Sequence, residues 1–375
     1  MLPSSPDAPL GGCAARPADH AACRAAIRAG SRSFYAASWL LPRAVRRDAY
    51  GLYAFCRLSD DAVDGAGARA DAVPRLRARL AAVYAGRPAD APADRALAEI
   101  VARHAIPQAL PAALLEGLAW DAAGRRHPDL SSLVAYAARV AGSVGAMMTL
   151  VMGERSAEAL ARACDLGIAM QLTNVARDVG EDARAGRLYL PESWLRDAGI
   201  DPDAFLARPE PSPALAAVVA RLLAAADLLY ARADSGIAQL PAACRPAVRA
   251  AGLIYAEIGR DLARGGLDPV SRRARVPGAR KAQLLARAAL TGSLRRADRP
   301  VLPEAAFLVE AVTAMPRPAA VSPAGLPPLV LPPLVLPPLA GSRPAWWNLA
   351  ARVVRVLDLI EVLRERERFG GAAPS

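Results

Sequence analysis

Histidine is nearly missing from this 375-residue chain, at 3 residues, and its 5 cysteines form no CxxC pair. A zinc site, which needs clustered thiolate or imidazole, is therefore not expected. The scattered, odd-numbered thiols Cys13, Cys23, Cys56, Cys164 and Cys244 fit a reduced cytosolic chain better than a disulfide scaffold. Aromatic residues make up 5% and lysine is almost absent, so the net charge of +11 (47 basic against 36 acidic residues) rests on dispersed arginine. With no recognisable nucleic-acid module, that charge points to smaller anions, phosphate esters or acidic lipid head groups, and not to nucleic acid. The N-terminus lacks a basic stretch leading into an apolar core, so no export signal is expected. The longest nearly uncharged apolar run, Val140 to Gly153, is too short to span a bilayer and reads as a buried helix. Alternation of the β type is missing as well.

What is present is apolar mass, 54% of the residues with alanine and leucine prominent, in stretches with three- and four-residue spacing between Pro and Gly breaks. An all-α fold of about eight to ten helices follows. Residues 1–20 read as a flexible leader, 21–300 as the all-α domain, 301–343 as a Pro-rich linker with LPPLV repeats, and 344–375 as a C-terminal amphipathic helix and tail. That last helix sets Trp346, Trp347, Val353, Leu357 and Ile360 against Asn348, Arg352 and Arg355. It suits docking on the bundle or a partner, or lying on a membrane surface.

Two acidic constellations stand out. Within Cys56-Arg57-Leu58-Ser59-Asp60-Asp61-Ala62-Val63-Asp64, Asp60 and Asp64 share one helix face, where like charges repel unless a cation sits between them. Gln171, Asn174, Asp178 and Asp182, spaced by three, four and four, repeat the pattern. Each run follows strongly apolar sequence, so the oxygens are expected to line an internal cavity and not a solvated face. Hard oxygen donors without His or Cys favour Mg²⁺, with Mn²⁺ as the alternative, acting on a phosphate ester. Arg57 and Arg177 either pair with their own acidic neighbours or contact phosphate.

The blocks carrying these residues resemble the head-to-head prenyl synthases: squalene, dehydrosqualene and phytoene synthases. The blocks are Ser31-Arg32-Ser33-Phe34-Tyr35, LYAFCR running into DDAVD, Tyr136 to Met148, Gln171 to Pro191, and Tyr255 to Lys281. They span about residues 22 to 290, and RLSDDAVD and VSRRARV are worded most like bacterial phytoene synthases. The resemblance implies an all-α isoprenoid-synthase helical bundle with a central cavity, its two acidic helices facing each other. It implies metal ligation by Asp60, Asp64, Asn174, Asp178 and Asp182, and substrate contacts from Ser31, Arg32, Ser33, Tyr53, Arg57, Gln171, Arg177 and Arg272. Tyr136 and Tyr255 would lie nearest the reacting carbons, so the catalytic set is Asp60, Asp64, Asp178, Asp182, Tyr136 and Tyr255. Phe34, Tyr35, Tyr53, Met147, Met148 and Leu150 are candidates for the dry wall. Gly30 departs from the pattern, since several relatives carry His there.

The activity implied is condensation of two geranylgeranyl diphosphates to phytoene through prephytoene diphosphate, the first committed step of carotenoid synthesis, without NADPH. A squalene, dehydrosqualene or presqualene diphosphate synthase using farnesyl diphosphate is the alternative, and a non-catalytic helical scaffold is the alternative of another class. The expected partners are a prenyl diphosphate, a membrane surface and downstream carotenoid enzymes, with the chain cytoplasmic and peripheral to the inner membrane.

Overall fold

Helix signals in the sequence become helix ends with few exceptions. The computed structural model describes residues 15–64, 71–290 and 299–315, and among them there is no strand. The helices are α1 (Pro17–Gly30), α2 (Arg32–Ser38), α3 (Arg43–Asp64), α4 (Ala72–Tyr84), α5 (Pro92–His104), α6 (Ala109–Ala122), α7 (Leu130–Ala137) and α8 (Ser143–Val151). They continue as α9 (Ala157–Arg184), α10 (Glu192–Asp197), α11 (Pro202–Ala207), α12 (Pro213–Ile237), α13 (Arg245–Arg264), α14 (Gly278–Leu290) and α15 (Ala306–Thr313). This is more than the eight to ten expected, because short helices such as α2, α10 and α11 bridge the long ones.

The caps follow from residue chemistry. Ser212 accepts from the Leu215 amide at 3.1 Å with Pro213 in the first turn of α12, and Asp201 does the same for Ala204 at 2.7 Å in front of Pro202. Ser156 opens α9, whose 28 residues end before Gly186 at φ +75°. This central helix lies along α12 and touches α7, α8, α13 and α15. Leu160, Ile168, Leu172 and Ala176 on it are completely buried.

Small residues set how closely α9 meets its neighbour. A Cβ on Gly167 would lie 2.4 Å from the Ala141 carbonyl oxygen, and one on Gly145 would lie 2.4 Å from the Ala163 carbonyl oxygen. The facing backbone passes through a π-helical turn, Ala138–Gly142, which joins α7 to α8 and lets the pair cross in direct contact. The Val140–Gly153 run is thus this turn plus α8, buried as expected along most of its length.

Two domain boundaries move. The helical body begins at Pro17 and not Ala21, because Pro17 starts α1 and Asp19 accepts from the Arg16 amide at 2.9 Å. Asp19 also takes both prongs of Arg95, binding α1 to α5. The body also extends past residue 300: Leu308, Val309 and Val312 of α15 are buried, and Arg139 lies between the rings of Trp120 and Phe307. The LPPLV repeats and the helix expected over 344–375 lie outside the described residues. Two stretches, Leu130–Val151 and Pro213–Ile237, are long and apolar enough to cross a membrane, yet both pack against α9 within the bundle.

Candidate active site

An elongated cavity of about 360 Å³ runs through the bundle. Leu52, Tyr53 and Cys56 of α3 form one wall, Val144 and Met148 of α8 another, and Ala251 and Tyr255 of α13 a third. On α9 the lining runs from Ala159 to Asn174, about 22 Å of helix. Phe34 of α2 also lines it and stacks on Tyr255 at 5.1 Å between ring centres. Of the six residues expected in the wall, Phe34, Tyr53 and Met148 line the cavity, whereas Tyr35, Met147 and Leu150 are packed behind it in the core. Burial pushes the Cys56 thiol up to about 12, so it contributes an uncharged, inert surface.

Both acidic helices border this cavity, α3 through Tyr53 and Cys56 and α9 through Gln171 and Asn174. Their carboxylates differ in shielding. Asp178 is 16% exposed, and it accepts from Arg177 Nε at 2.8 Å and lies 2.9 Å from Arg273 Nε. Arg273 also reaches Glu181 at 3.1 Å. Burial, with the Asp178 carboxylate beside it, raises Asp182 to about 7. Asn174 donates to Gln171 Oε1 at 3.3 Å, while its own buried Oδ1 has no hydrogen-bond partner. On α3, Asp60 is 44% exposed and 3.5 Å from Arg57, which also binds Asp61 at 2.7 Å. The side chain of Asp64 lies outside the described residues. No three His, Cys, Asp or Glu side chains converge on one point among the described residues.

The first block sits at the same end. Ser31 caps α2, accepting from the Phe34 amide at 3.2 Å, with Arg32 exposed and Ser33 half-buried behind it. A Cβ on Gly30 would lie 2.3 Å from the Tyr53 hydroxyl, so that phenol fills the space a side chain there would need.

Two expected contacts fall elsewhere. Arg272 turns away from α9, donating to the Asp261 carbonyl at 2.7 Å and lying 3.3 Å from its carboxylate. Its neighbour Arg273 takes the position over Asp178. In the run Ser271-Arg272-Arg273-Ala274-Arg275 nothing in composition distinguishes the two. Tyr136 does not line the cavity. It is buried against His127 and Tyr189 and donates to Asp121 Oδ2 at 2.8 Å, while Tyr189 donates to Asp121 Oδ1 at 2.7 Å. Burial, reinforced by the Asp121 charge, drives both phenols far up in pKa and keeps them as O–H donors. Tyr189 in turn lies beside Asp182 in a small recess. Asp121 carries no signal in the sequence, and Tyr189 falls inside the Gln171 to Pro191 block without standing out from it.

His127 gives this corner a pH signature. Burial, with Arg125 nearby, lowers it from 6.5 to about 4. The unfolded chain therefore holds the extra proton between those values, so stability is complete above about 6.5 and declines as pH falls toward 4. Asp182, raised to about 7, acts with the opposite sign over the same window, so the His127 contribution is read as a difference: relative to His127→Phe, denaturant titrations of the unmodified protein should show up to about 3 kcal/mol lost between pH 6.5 and 4. His127→Phe should flatten the slope, and an unchanged slope would reject the assignment.

Comparison with known proteins fits this geometry. The family model described as "Squalene/phytoene synthase" matches residues 27–280. The chain is 52% identical over 304 residues to a phytoene synthase of Rhodobacter capsulatus, covering 78% of this chain and 90% of that protein. It is 44% identical over 270 residues to a 15-cis-phytoene synthase of a Paracoccus species, covering 69% and 87%. Among solved structures, a dehydrosqualene synthase in complex with ligand superposes with a TM-score of 0.67 at 31% identity, covering 72% of this chain and 95% of that one. The squalene synthase HpnC of Alicyclobacillus acidocaldarius gives 0.61 at 25% identity, covering 67% and 95%. An all-α bundle whose acidic helices border one apolar cavity, matched over most of its body in this way, belongs to the squalene/phytoene synthase family.

Proposed function

We propose that this chain is a prenyltransferase that joins two geranylgeranyl diphosphates head to head, through prephytoene diphosphate, to give 15-cis-phytoene with loss of both diphosphates. The observation that carries the reading is an apolar cavity that meets the cationic and anionic side chains of α9 at one end. The phytoene synthases it resembles supply the reaction class.

Mg²⁺ is the metal this reading requires, and the donor set supports it. The orphaned Asn174 Oδ1 is a free hard oxygen ligand, and Asp182 is raised by burial and by anionic Asp178 and Glu181, which outweigh the pull of nearby Arg187. Asp60, Asp64, Asn174, Asp178 and Asp182 would hold the ion, which supplies charge neutralisation for the departing diphosphate. Arg177 and Arg273 add fixed cationic charge beside Asp178. Tyr255, raised to about 12 by burial, stays a neutral phenol against the chain. The walls of Leu52, Val144, Met148 and Leu166 exclude the water that would quench an allylic cation as an alcohol.

Purified protein given labelled geranylgeranyl diphosphate and Mg²⁺, without NADPH, should form phytoene. Product from farnesyl diphosphate alone would move the activity to the fifteen-carbon synthases. Arg273→Ala should lower kcat/KM by about 30-fold, in the range of a lost charge-assisted contact. Arg272→Ala should stay within about threefold, since its partner Asp261 lies off the site. Equal effects would return Arg272 to the site.

Substrate and product are lipids, so we place the protein at the cytoplasmic face of the inner membrane, attached peripherally. Removing residues 316–375 should lower its partition to anionic vesicles, and an unchanged partition would remove the tail from that role.

A further inference from the structure

Toward the far end of the cavity, one turn of α9 inside its last lining residue Ala159, lies a charged group that the proposed chemistry does not use. Arg162 lines the cavity and is 1% exposed. Its Nε lies 3.0 Å from Asp165 Oδ2, and its Nη2 donates to the Pro300 carbonyl at 3.1 Å. Asp165, also 1% exposed, accepts from Arg232 Nε at 3.1 Å, and Arg232 donates to the same Pro300 carbonyl at 2.7 Å. The stem is pinned too: a Cβ on Gly236 of α12 would lie 2.2 Å from Arg162 Cβ and 2.7 Å from Cγ.

We infer that Arg162, clamped by Asp165 and Pro300, is the stop that fixes how long a prenyl chain the cavity admits; this rests on the proposed function and refines its substrate. Arg162 precedes Asn174 by 12 residues on one straight cavity wall, about 18 Å along the helix axis. An extended geranylgeranyl chain, with about sixteen main-chain carbons advancing about 1.25 Å each, spans about 20 Å, and a farnesyl chain about 15 Å. Against that span of about 18 Å the twenty-carbon chain reaches Arg162, the fifteen-carbon chain stops about 3 Å short of it, and a twenty-five-carbon chain, about 25 Å long, has to displace it. A leucine or methionine there would rotate aside. A guanidinium held by a carboxylate and a carbonyl in a dry interior does not, because moving it takes a buried cation away from its counter-charge on Asp165. The cut-off against longer chains is accordingly sharp.

The test is Arg162→Ala and Arg162→Met, assayed with farnesyl, geranylgeranyl and geranylfarnesyl diphosphates for turnover and for ligand-induced shifts in Tm. In Arg162→Ala the ratio of kcat/KM for the twenty-five-carbon over the twenty-carbon donor should rise by about tenfold or more, in line with isoprene-sized pocket effects. Arg162→Met, which keeps a stem but loses the clamp, should fall between. A folded Arg162→Ala protein whose ratio is unchanged overturns the inference. If that variant does not fold, Arg162→Ala/Asp165→Asn offsets the lost buried positive charge by removing the negative one and is read by the same ratio. If the unmodified protein turns over none of the three donors, the proposed function fails by itself. The stop is then judged on whether Tm shifts extend to the twenty-five-carbon diphosphate only in the variants; equal shifts in all proteins would reject it.

Discussion

Asp178→Asn is expected to lower kcat by about a thousandfold while leaving the helical circular dichroism intact, the scale seen when a preorganised charge at a reacting centre is removed. The position explains both halves. Asp178 is shielded, is held by Arg177 from its own helix and by Arg273 from the segment after α13, and lies on the face that carries Asn174 and Asp182. Its amide replacement keeps the shape and one acceptor but removes the charge on which the two guanidinium groups converge. Folding does not depend on that charge, because Glu181 and Asp182 keep the helix end anionic and Arg273 retains Glu181 at 3.1 Å. Tm should move by no more than about 2 °C. Asp61→Asn makes the contrast: this side chain is 57% exposed and bound to Arg57, so kcat should stay within about threefold. Retention of a tenth or more of the activity in Asp178→Asn would remove the metal assignment from α9.

The second large effect concerns stability. Helical Gly→Ala changes gain about 1 kcal/mol from propensity where a Cβ has room, and half-buried Gly252 on α13, where a Cβ would lie 3.4 Å from Leu166 Cδ1, should follow that rule. Gly167→Ala should reverse the sign. Its Cβ would meet the Ala141 carbonyl oxygen at 2.4 Å, the carbonyl carbon at 2.7 Å and the Gly142 nitrogen at 2.9 Å, all backbone atoms with no rotamer to give. The helices would have to part, at an overpacking penalty of about 3 kcal/mol, which lowers Tm by about 6–12 °C. Gly167→Leu should not fold. Thermal denaturation of the two alanine variants decides the matter, and a stabilised Gly167→Ala protein would show that the close crossing is not tight.

Much of this architecture is written locally in the sequence. The three- and four-residue spacing of apolar side chains marked the helices, and the oxygen-bearing repeat on α9 marked the shared face of Asn174, Asp178 and Asp182. Both signals are local in sequence. The remainder depends on partners brought together by the fold. Arg272 and Arg273 differ by one residue, about 100° around a helix or a reversal in extended chain, and only the position of Asp178 chooses between them. Asp121 is a lone carboxylate at the end of α6 until Tyr136 and Tyr189 arrive from elements 15 and 68 residues away. The misplaced C-terminal boundary has a simpler origin. Proline near residue 300 reads as a break in structure, but here Pro303 starts the short turn leading into α15, and the apolar residues that follow are enough for two turns of buried helix.

The bare contact between α8 and α9 also governs traffic. Where backbone rests on backbone at Gly145 and Gly167 there is no side chain that can swing away, so this flank of the tunnel cannot gape to let a lipid slip in broadside.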